Sequence, residues 1–375
     1  MMKENLLGFG LMRLPSLDPS DASKIDLELS KKLVDMFIGK GFTYFDTAWM
    51  YCNFGSEDAV KEILTSRYPR DKFTLTTKLH SGFINTLEDR DKIFNEQRRK
   101  TGVEYFDYYW IHDINVHSIE VYDRLDCFEW LKEKKASGLV KHIGFSFHDG
   151  PELLDKVLTE HPEFEYVQLQ INYLDWESSA IQSRKCYEVA EKHNMPVIVM
   201  EPVKGGTLAN VPDEVTKLFR AYDPEASVSS WAIRFAASRK NVVKVLSGMN
   251  TVEQMADNTS YMADFKPLTE EENNILKQAV EIINGNITVP CTGCEYCVSG
   301  CPQEIRIPKI FSLYNADKQE VESKGWTPQG EYYDNLIKTT GKASDCVECR
   351  QCEEVCPQHL PITEYLKDVV KYWGK

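Results

Sequence analysis

The chain has 375 residues, with 58 acidic and 44 basic side chains and a formal net charge of -14 at pH 7. This length suits one large domain and one small domain, and the negative charge disfavours nucleic acid or an anionic membrane as the main partner. The first residues lack a basic region followed by a long apolar core, and no apolar run could span a bilayer, so we expect a cytoplasmic protein without a signal peptide.

Short apolar segments alternate with longer amphipathic segments from the N-terminus to about residue 262. Helices are predicted at 29–41, ending at Gly41, and at 121–138, ending at Gly138. The apolar segments are rich in Val, Ile, Phe and Tyr, and they predict strands at 6–12, 42–48, 73–79, 106–112, 142–148, 166–172, 196–202 and 242–248.

Eight β/α units over about 260 residues predict an α/β fold, a closed (β/α)8 TIM barrel. A doubly wound open sheet is the alternative, although no GxGxxG motif follows the first strand. A polar helix is predicted at 268–283, and the domain boundary is expected there. The predicted domains are therefore the barrel at 1–265, a connecting helix at 266–284 and a second domain at 285–375.

Eight of the eleven cysteines form two runs of the pattern C-x2-C-x2-C-x3-C-P, separated by a polar segment, 316–344, that we expect to be a helical insert or cover. In this pattern three thiolates bind one [4Fe–4S] cluster and the fourth binds the other cluster. We therefore assign one cluster to Cys291, Cys294, Cys297 and Cys356, and the other to Cys346, Cys349, Cys352 and Cys301.

Other uses of these thiols explain less of the pattern. A zinc ribbon leaves four of them unused, and a disulfide framework conflicts with the absence of a secretory signal. Residues 288–360 resemble the bacterial two-cluster ferredoxins, which implies an α+β ferredoxin-like iron–sulfur domain. Cys52, Cys127 and Cys186 lack ligand spacing and are expected to be ordinary packing residues.

Four chemically complementary side chains lie at or just after predicted strand ends, where barrel enzymes place their reacting groups. They are Asp46, Tyr51, Lys78 and His112. A tyrosine can protonate a developing alkoxide, and a nearby ammonium is expected to lower its pKa from about 10. A carboxylate would keep the lysine charged, and a histidine would orient a carbonyl oxygen. Together they predict proton delivery to a carbonyl that receives hydride.

Residues 6–262 resemble the aldo-keto reductase superfamily. The resemblance is carried by GFGLMRLP (8–15), FDTAWMYCNFGSE (45–57), TTKL (76–79), WIHD (110–113), GLVKHIGFS (138–146) and LQINY (169–173). It implies that Asp46, Tyr51, Lys78 and His112 are the family's catalytic tetrad, acting on a small-molecule carbonyl or alcohol substrate.

The resemblance also implies a nicotinamide cofactor, with Ser146 and Gln170 as carboxamide ligands. The asparagine that usually follows the serine is Phe147 here, and Met200 stands where a tyrosine usually stacks on the nicotinamide. The adenosine-phosphate segment corresponds to 247–258, in which Asn258 matches the adenine contact. The positions that often grip a 2'-phosphate are the uncharged Gly248 and Gln254, so NADH is favoured over NADPH.

The two halves suggest different electron chemistry, because hydride transfer moves two electrons and iron–sulfur clusters move one. A flavin usually connects two-electron and one-electron transfer. The sequence shows no flavin signature, and a bound flavin stays an open possibility. We favour a carbonyl-reducing or alcohol-oxidising enzyme whose clusters exchange electrons with a redox partner or second cofactor. The alternatives are an iron–sulfur electron carrier whose barrel is a nucleotide sensor or docking module, and clusters that are purely structural.

Overall fold

The computed structural model describes residues 5–375 except 19, 20, 179, 180, 286, 287, 292, 294, 320–325 and 357. Within these residues, eight strands form one closed parallel barrel in sequence order, which confirms the predicted (β/α)8 fold. The strands are β1 Leu7–Gly10, β2 Tyr44–Asp46, β3 Thr74–His80, β4 Phe106–Ile114, β5 Val140–Phe147, β6 Tyr166–Gln170, β7 Val197–Met200 and β8 Val242–Ser247.

The α-helices of the described residues follow in chain order, and α2 continues as a π-helical segment over Lys61–Thr65. They are α1 Leu27–Gly39, α2 Ser56–Val60, α3 Leu87–Thr101, α4 Ser118–Arg124, α5 Cys127–Ala136, α6 Pro151–Glu160, α7 Ser183–Lys192, α8 Asp213–Tyr222, α9 Val228–Ala237, α10 Val252–Ala263, α11 Glu270–Gly285, α12 Ile307–Lys318, α13 Pro328–Leu336, α14 Gln351–Glu354 and α15 Ile362–Trp373. No helix in the described part of the chain is both long enough and apolar enough to cross a membrane.

The chain divides into two compact units. The barrel unit comprises Met1–Asn172, Arg184–Pro202 and Ser229–Glu270, and the cysteine-rich unit comprises Tyr173–Ser183, Val203–Val228 and Glu271–Lys375. The cysteine-rich unit therefore includes the segments that follow β6 and β7 as well as the C-terminal residues. The domain limits drawn from the sequence assign those two segments to the barrel.

The barrel interior is filled by large side chains from its strands. Tyr44 on β2, Trp110 on β4, Ile198 on β7 and Leu246 on β8 form one buried cluster. Three of these residues come from even-numbered strands, as expected when alternate strands supply one interior layer. Gly144 on β5 makes room for this layer, because a Cβ atom there would lie only 2.1 Å from the Trp110 ring.

The predicted helix at 121–138 is two helices, α4 and α5, rather than one. The break occurs at Asp126, whose backbone is left-handed with φ 50°. Arg90 on α3 donates hydrogen bonds to the carbonyl oxygens of Leu125 and Asp126. The Asp126 carbonyl oxygen also accepts the first backbone hydrogen bond of α5, from Trp130, so the guanidinium fastens the end of α4 to the start of α5.

The cysteine-rich unit has an apolar core of its own, formed largely by α12, α13 and α15. Tyr333 on α13 is fully buried and stacks on Trp373, with ring centroids 4.4 Å apart. The spacer between the cysteine runs, expected to be a helical insert or cover, therefore contributes to this core. An isolated parallel bridge joins Ile305 to Gly341, where a Cβ would lie 1.9 Å from the Gln303 carbonyl oxygen.

Candidate active site and cluster sites

The four side chains of the predicted tetrad meet at the carboxyl ends of neighbouring strands. Asp46 is the last residue of β2, Lys78 lies near the end of β3, and His112 lies near the end of β4. Tyr51 follows β2 in its loop. Because β2, β3 and β4 are adjacent and parallel, the barrel closes these separate parts of the sequence into one site.

Lys78 is the centre of the site. Its ammonium nitrogen Nζ donates to Asp46 Oδ1 at 2.5 Å, to the Thr47 carbonyl oxygen at 2.8 Å and to the Tyr51 hydroxyl oxygen at 3.3 Å. The side chains of Lys78 and Asp46 are both buried, with 0% and 3% exposed. The His112 ring is 6.1 Å from the Tyr51 ring, edge to face. A phenol, an ammonium and an imidazole are thus grouped beside one buried carboxylate.

The charges of the site follow from burial and close neighbours. Burial opposes the charge on Lys78, but Asp46 and Tyr51 outweigh it, so the pKa of Lys78 is raised and the ammonium persists. Burial, with His80, Lys78 and His148, holds the pKa of His112 well below its usual value, so this imidazole is neutral. Its Nδ1 atom is buried without a hydrogen-bond partner among the described residues.

The expected lowering of the Tyr51 pKa is wrong for this structure. Burial raises the pKa of Tyr51 above its usual value; Lys78 acts against that rise, and Asp46 adds to it. The sequence could indicate the neighbouring ammonium but not the depth at which the phenol is buried. Tyr51 therefore keeps its proton at neutral pH, as a proton donor must.

Aromatic rings form a continuous arc beside the tetrad. Phe54 contacts Trp49 and Phe83, with ring centroids 6.3 and 5.5 Å apart, and Phe83 in turn lies 5.6 Å from the His80 ring. The arc reaches the tetrad at His112, whose ring centroid lies 5.2 Å from that of His80. Phe54 and Phe83 are 45% and 36% exposed. Exposed rings next to a buried polar site offer an apolar surface to a bound small molecule.

His80 and Asp113 are polar residues of this mouth that the sequence did not single out. The Nε2 atom of His80 lies 3.8 Å from Asp113 Oδ2, and its Nδ1 atom accepts a hydrogen bond from the Gly82 backbone N–H. His80 follows Lys78 by two residues, so period-two alternation along β3 would have placed both on one face.

Ser146 and Gln170 are buried near the carboxyl ends of β5 and β6. The Ser146 hydroxyl oxygen accepts a hydrogen bond from the Asp113 backbone N–H at 2.7 Å. The hydroxyl hydrogen of Ser146 is not used in that bond. Gln170 pairs in register with Met200 at the end of β7. A hydroxyl donor and an amide at nearby strand ends have the chemistry needed to hold the carboxamide of a nicotinamide.

The other residues predicted to contact the nucleotide cofactor lie after β8. Both ends of the Asn258 amide are engaged within the protein, since it donates to Ser247 Oγ and accepts from the Tyr261 hydroxyl. The Gln254 side chain accepts a hydrogen bond from the Asn250 backbone N–H. Contacts of Asn258 and Gln254 with a nucleotide remain predictions.

Arg13, which the sequence did not single out, lies beside Gly248. A Cβ built on Gly248 would be 3.9 Å from the Arg13 Cβ atom. Arg13 also pairs with Glu201 at 3.4 Å, and 43% of its side chain is exposed. A cation from the segment after β1 is therefore present next to the uncharged Gly248.

The eight predicted cluster cysteines fall into two cavities of the cysteine-rich unit, apart from Cys294, which lies outside the described residues. One cavity is lined by Cys301 together with Cys346, Cys349 and Cys352. The other is lined by Cys291 and Cys297 together with Cys356. In each cavity a cysteine of one run thus joins cysteines of the other run. Ile307 lines both cavities.

The two cysteine runs share an unusual backbone form. Gly293 and Glu295 in the first run have φ values of 72° and 64°, and the equivalent Glu348 and Arg350 in the second run have 55° and 60°. Left-handed residues in a loop can direct nearby backbone N–H groups towards a bound anion such as an iron–sulfur cluster. Non-glycine residues rarely adopt this form, so its repetition indicates a functional constraint.

The donor set also fits cubane clusters better than single metal ions. Within the described residues, no three or more His, Cys, Asp or Glu side chains are gathered closely enough to hold one ion. A [4Fe–4S] cluster binds each thiolate through a different iron, so its ligands lie farther apart. The thiols that line the two cavities suit such a group.

Family comparisons match both parts of the chain. Residues 6–281 match the aldo/keto reductase family, and residues 290–360 match the 4Fe-4S dicluster domain. These matches confirm the two resemblances drawn from the sequence.

Individual proteins add information on the fold and on one shorter segment. An aldo-keto reductase from Klebsiella pneumoniae, solved in complex with NADPH, has a TM-score of 0.58 and 16% identity, covering 74% of this chain and 95% of its own. An aldo-keto reductase from Bacillus halodurans has a TM-score of 0.57 and 20% identity, covering 73% and 91%. At these identities the likeness shows the fold alone.

The third comparison is shorter. One component of the ion-translocating oxidoreductase complex of Buchnera aphidicola is 30% identical over 84 residues, which are 22% of this chain and 14% of that protein. The chain thus matches only a small part of this curated relative's length.

Proposed function

This chain belongs to the aldo/keto reductase family and carries a 4Fe-4S dicluster domain, and from that premise we propose that it interconverts a carbonyl compound and the matching alcohol, with Tyr51 as proton donor. The observation that carries the proposal is the position of the Lys78 ammonium, 2.5 Å from Asp46 and 3.3 Å from the Tyr51 hydroxyl. Isolated polar residues seldom form such a grouping at the mouth of a barrel.

Each tetrad side chain has one task in this proposal. Tyr51 donates its proton to the carbonyl oxygen as negative charge develops there. Lys78 makes that donation easier, because its ammonium stabilises the phenolate that Tyr51 becomes. Asp46 keeps Lys78 charged and in place, and the neutral His112 orients the carbonyl oxygen. For alcohol oxidation the phenol must first lose its proton, so the raised pKa of Tyr51 predicts that oxidation accelerates towards alkaline pH.

A bound nicotinamide would supply the hydride in this reaction. Ser146 and Gln170 would hold its carboxamide, and the cation of Arg13 would contact a phosphate of the dinucleotide. We propose NADH rather than NADPH as the preferred form, because Gly248 and Gln254 carry no charge for a 2'-phosphate.

Arg13→Gln is expected to weaken NADH and NADPH binding alike, by about tenfold, because the lost contact is to a phosphate that both share. Tryptophan fluorescence titration of the two nucleotides measures both dissociation constants. Arg99→Gln, which removes an exposed cation paired with Glu96, is the control. Weakening confined to NADPH would place Arg13 at the 2'-phosphate and contradict the NADH preference.

We propose that the two [4Fe–4S] clusters pass single electrons to a redox partner or a second cofactor in the cytoplasm. The cluster assigned to Cys346, Cys349, Cys352 and Cys301 is the better placed for a protein partner. Cys349 is exposed, and Val347 and Val355 in the same segment are 59% and 50% exposed. The relative from Buchnera is named as part of an oxidoreductase complex, which agrees with an electron-transfer role.

Anaerobic mixing of the purified protein with NADH, and separately with NADPH, tests the connection between the two parts. We expect NADH to bleach the visible cluster absorbance and to produce the electron paramagnetic resonance signal of reduced clusters. Dithionite reduction of the same sample is the control that the clusters are redox-active. Clusters that respond to dithionite but to neither nucleotide would contradict an electronic connection and leave the barrel as a self-contained carbonyl reductase.

A further inference from the structure

The backbone immediately after Tyr51 adopts an unfavourable conformation. Three consecutive residues are left-handed: Cys52, Asn53 and Phe54 have φ values of 52°, 49° and 68°. Cysteine and phenylalanine rarely adopt this form, because the Cβ atom crowds the following carbonyl. Such a segment keeps its shape only where neighbouring groups hold it, and its shape determines where the Tyr51 ring points.

Lys100 on α3 is one of those groups. Its Nζ atom donates a hydrogen bond to the Phe54 carbonyl oxygen at 2.6 Å and lies 5.0 Å from the centre of the Trp49 ring. Only 7% of its side chain is exposed. The same Nζ atom is 3.8 Å from Glu57 Oε2 and 3.4 Å from Asp58 Oδ2. Lys100 therefore connects the left-handed segment to a buried carboxylate.

That carboxylate is in turn connected to the strand that carries Lys78. Glu57 is fully buried, and its Oε1 atom accepts hydrogen bonds from Thr77 Oγ1 at 2.7 Å and from Gln97 Nε2 at 2.8 Å. Gln97 Nε2 also donates to the Lys78 carbonyl oxygen at 2.9 Å. These hydrogen bonds, together with the ion pair between Lys100 and Glu57, thus reach the backbone on both sides of the Tyr51–Lys78 pair.

We propose that Glu57, Thr77, Gln97 and Lys100, here named the Glu57 network, form a positioning device that sets the distance between the Tyr51 hydroxyl and the Lys78 ammonium. This inference rests on the proposed carbonyl reduction. The hydrogen bonds described above join its members to one another and to the backbone carbonyls of Phe54 and Lys78, not to a tetrad side chain. They act on the two backbone segments, and the negative charge of Glu57 holds Lys100 in its bond to Phe54.

The charge on Glu57 depends on pH near neutrality. The groups that face it are Lys100 and Gln97 from α3, Thr77 from β3, Tyr109 from β4, and Asp58 on its own helix. Burial raises the pKa of Glu57 to about 7; Thr77, Lys100 and Gln97 oppose that rise, and Asp58 adds to it. Glu57 therefore gains its charge, and its attraction for Lys100, as the pH rises through about 7.

Stability and positioning then depend on pH in opposite directions. Between the usual pKa of 4.5 and about 7, the folded chain holds this proton while the unfolded chain has lost it. The contribution of Glu57 to stability is therefore fully present below pH 4.5 and is lost as the pH rises through about 7. A group that costs stability in its working charge state is typical of a functional site.

Glu57→Gln and Lys100→Met test the network, and Arg99→Met is the matched control on the same helix. We expect Glu57→Gln to lower the single-turnover rate about 10- to 100-fold, because small displacements of reacting groups have effects of that size. The wild-type rate should decline as the pH falls below about 7, because Glu57 then loses its charge. Glu57→Gln should abolish that decline and raise the melting temperature at pH 8. Lys100→Met should speed hydrogen exchange at the amides of residues 52–54, whereas Arg99→Met should change none of these.

Two results would overturn the inference. One is a Glu57→Gln protein with the wild-type rate and pH profile, and the other is unchanged exchange at residues 52–54 in Lys100→Met. Hydrogen exchange needs no turnover, so it separates this inference from the proposed function. A wild-type protein that reduces no carbonyl would refute the proposed function, while the exchange result would still decide whether the network holds the Tyr51 loop.

Discussion

Tyr51→Phe is expected to lower carbonyl reduction by about 10²- to 10⁴-fold, the usual contribution of a positioned general acid. The substitution removes only the hydroxyl that lies 3.3 Å from the Lys78 ammonium, and the phenyl ring can remain in place. Nucleotide binding should stay nearly intact, because Ser146, Gln170 and Arg13 belong to other strand ends. Stopped-flow reduction of a simple aldehyde panel and equilibrium titration of NADH measure the two properties separately.

Tyr68→Phe is the matched control for that experiment, since it removes a tyrosine hydroxyl that bonds to Asp35 away from the tetrad. It should reduce aldehydes at the wild-type rate. Full activity in Tyr51→Phe would refute the assignment of Tyr51 as proton donor. A loss of nucleotide binding as large as the loss of rate would instead show that the hydroxyl serves to hold the cofactor.

The strands of the barrel could be predicted because each is a buried apolar run bounded by polar segments. The ends of a strand are set by its hydrogen bonds to neighbouring strands, which the sequence does not show, and β2 is the clearest example. The sequence suggests 42–48, whereas the ladder holds only Tyr44–Asp46. Hydrogen bonds of Thr43 and Thr47 with β3 continue beyond that ladder, so the apolar run is longer than the assigned strand.

The helix break at Asp126 depends on contacts that local sequence does not reveal. An aspartate in the middle of an amphipathic pattern gives no sign that the chain will turn. The guanidinium that bonds to the Leu125 and Asp126 carbonyls at the break comes from Arg90, on a different helix. Propensity and periodicity describe one segment at a time, so they predicted a continuous helix.

The tetrad could be predicted because each member lies at a strand end and has a distinct chemistry. The Glu57 network could not, because its contacts join residues about 20 to 45 positions apart and include ordinary helix residues such as Gln97 and Lys100. The same limit applies to the pKa of Tyr51. Its sign depends on how far burial outweighs a neighbouring charge, and sequence gives the charge but not the burial.

The crossed assignment of cysteines predicts an unusual pattern of iron loss. If Cys301 binds the same cluster as Cys349, then Cys301→Ala, Cys349→Ala and the double variant should each lose about half of the iron, about four of about eight atoms per chain. Combining Cys301→Ala with Cys297→Ala should affect both clusters and remove nearly all of it. Iron and sulfide analysis of anaerobically purified proteins measures these losses, with cluster absorbance as a second readout.

This experiment distinguishes two cysteine runs that exchange one ligand from two runs that each bind their own cluster. Neither cluster needs to be identified in a spectrum. Changes within one cluster are not additive, because the second substitution acts on a cluster already lost, whereas changes in different clusters add. If each run held its own cluster, Cys301 and Cys297 would be the non-additive pair, and that result would refute the assignment. Cys127→Ala, at a fully buried cysteine outside both cavities, should leave the iron content unchanged. The cavities, in which Cys301 lies with the second run and Cys356 with the first, are the physical reason to expect the crossed pattern.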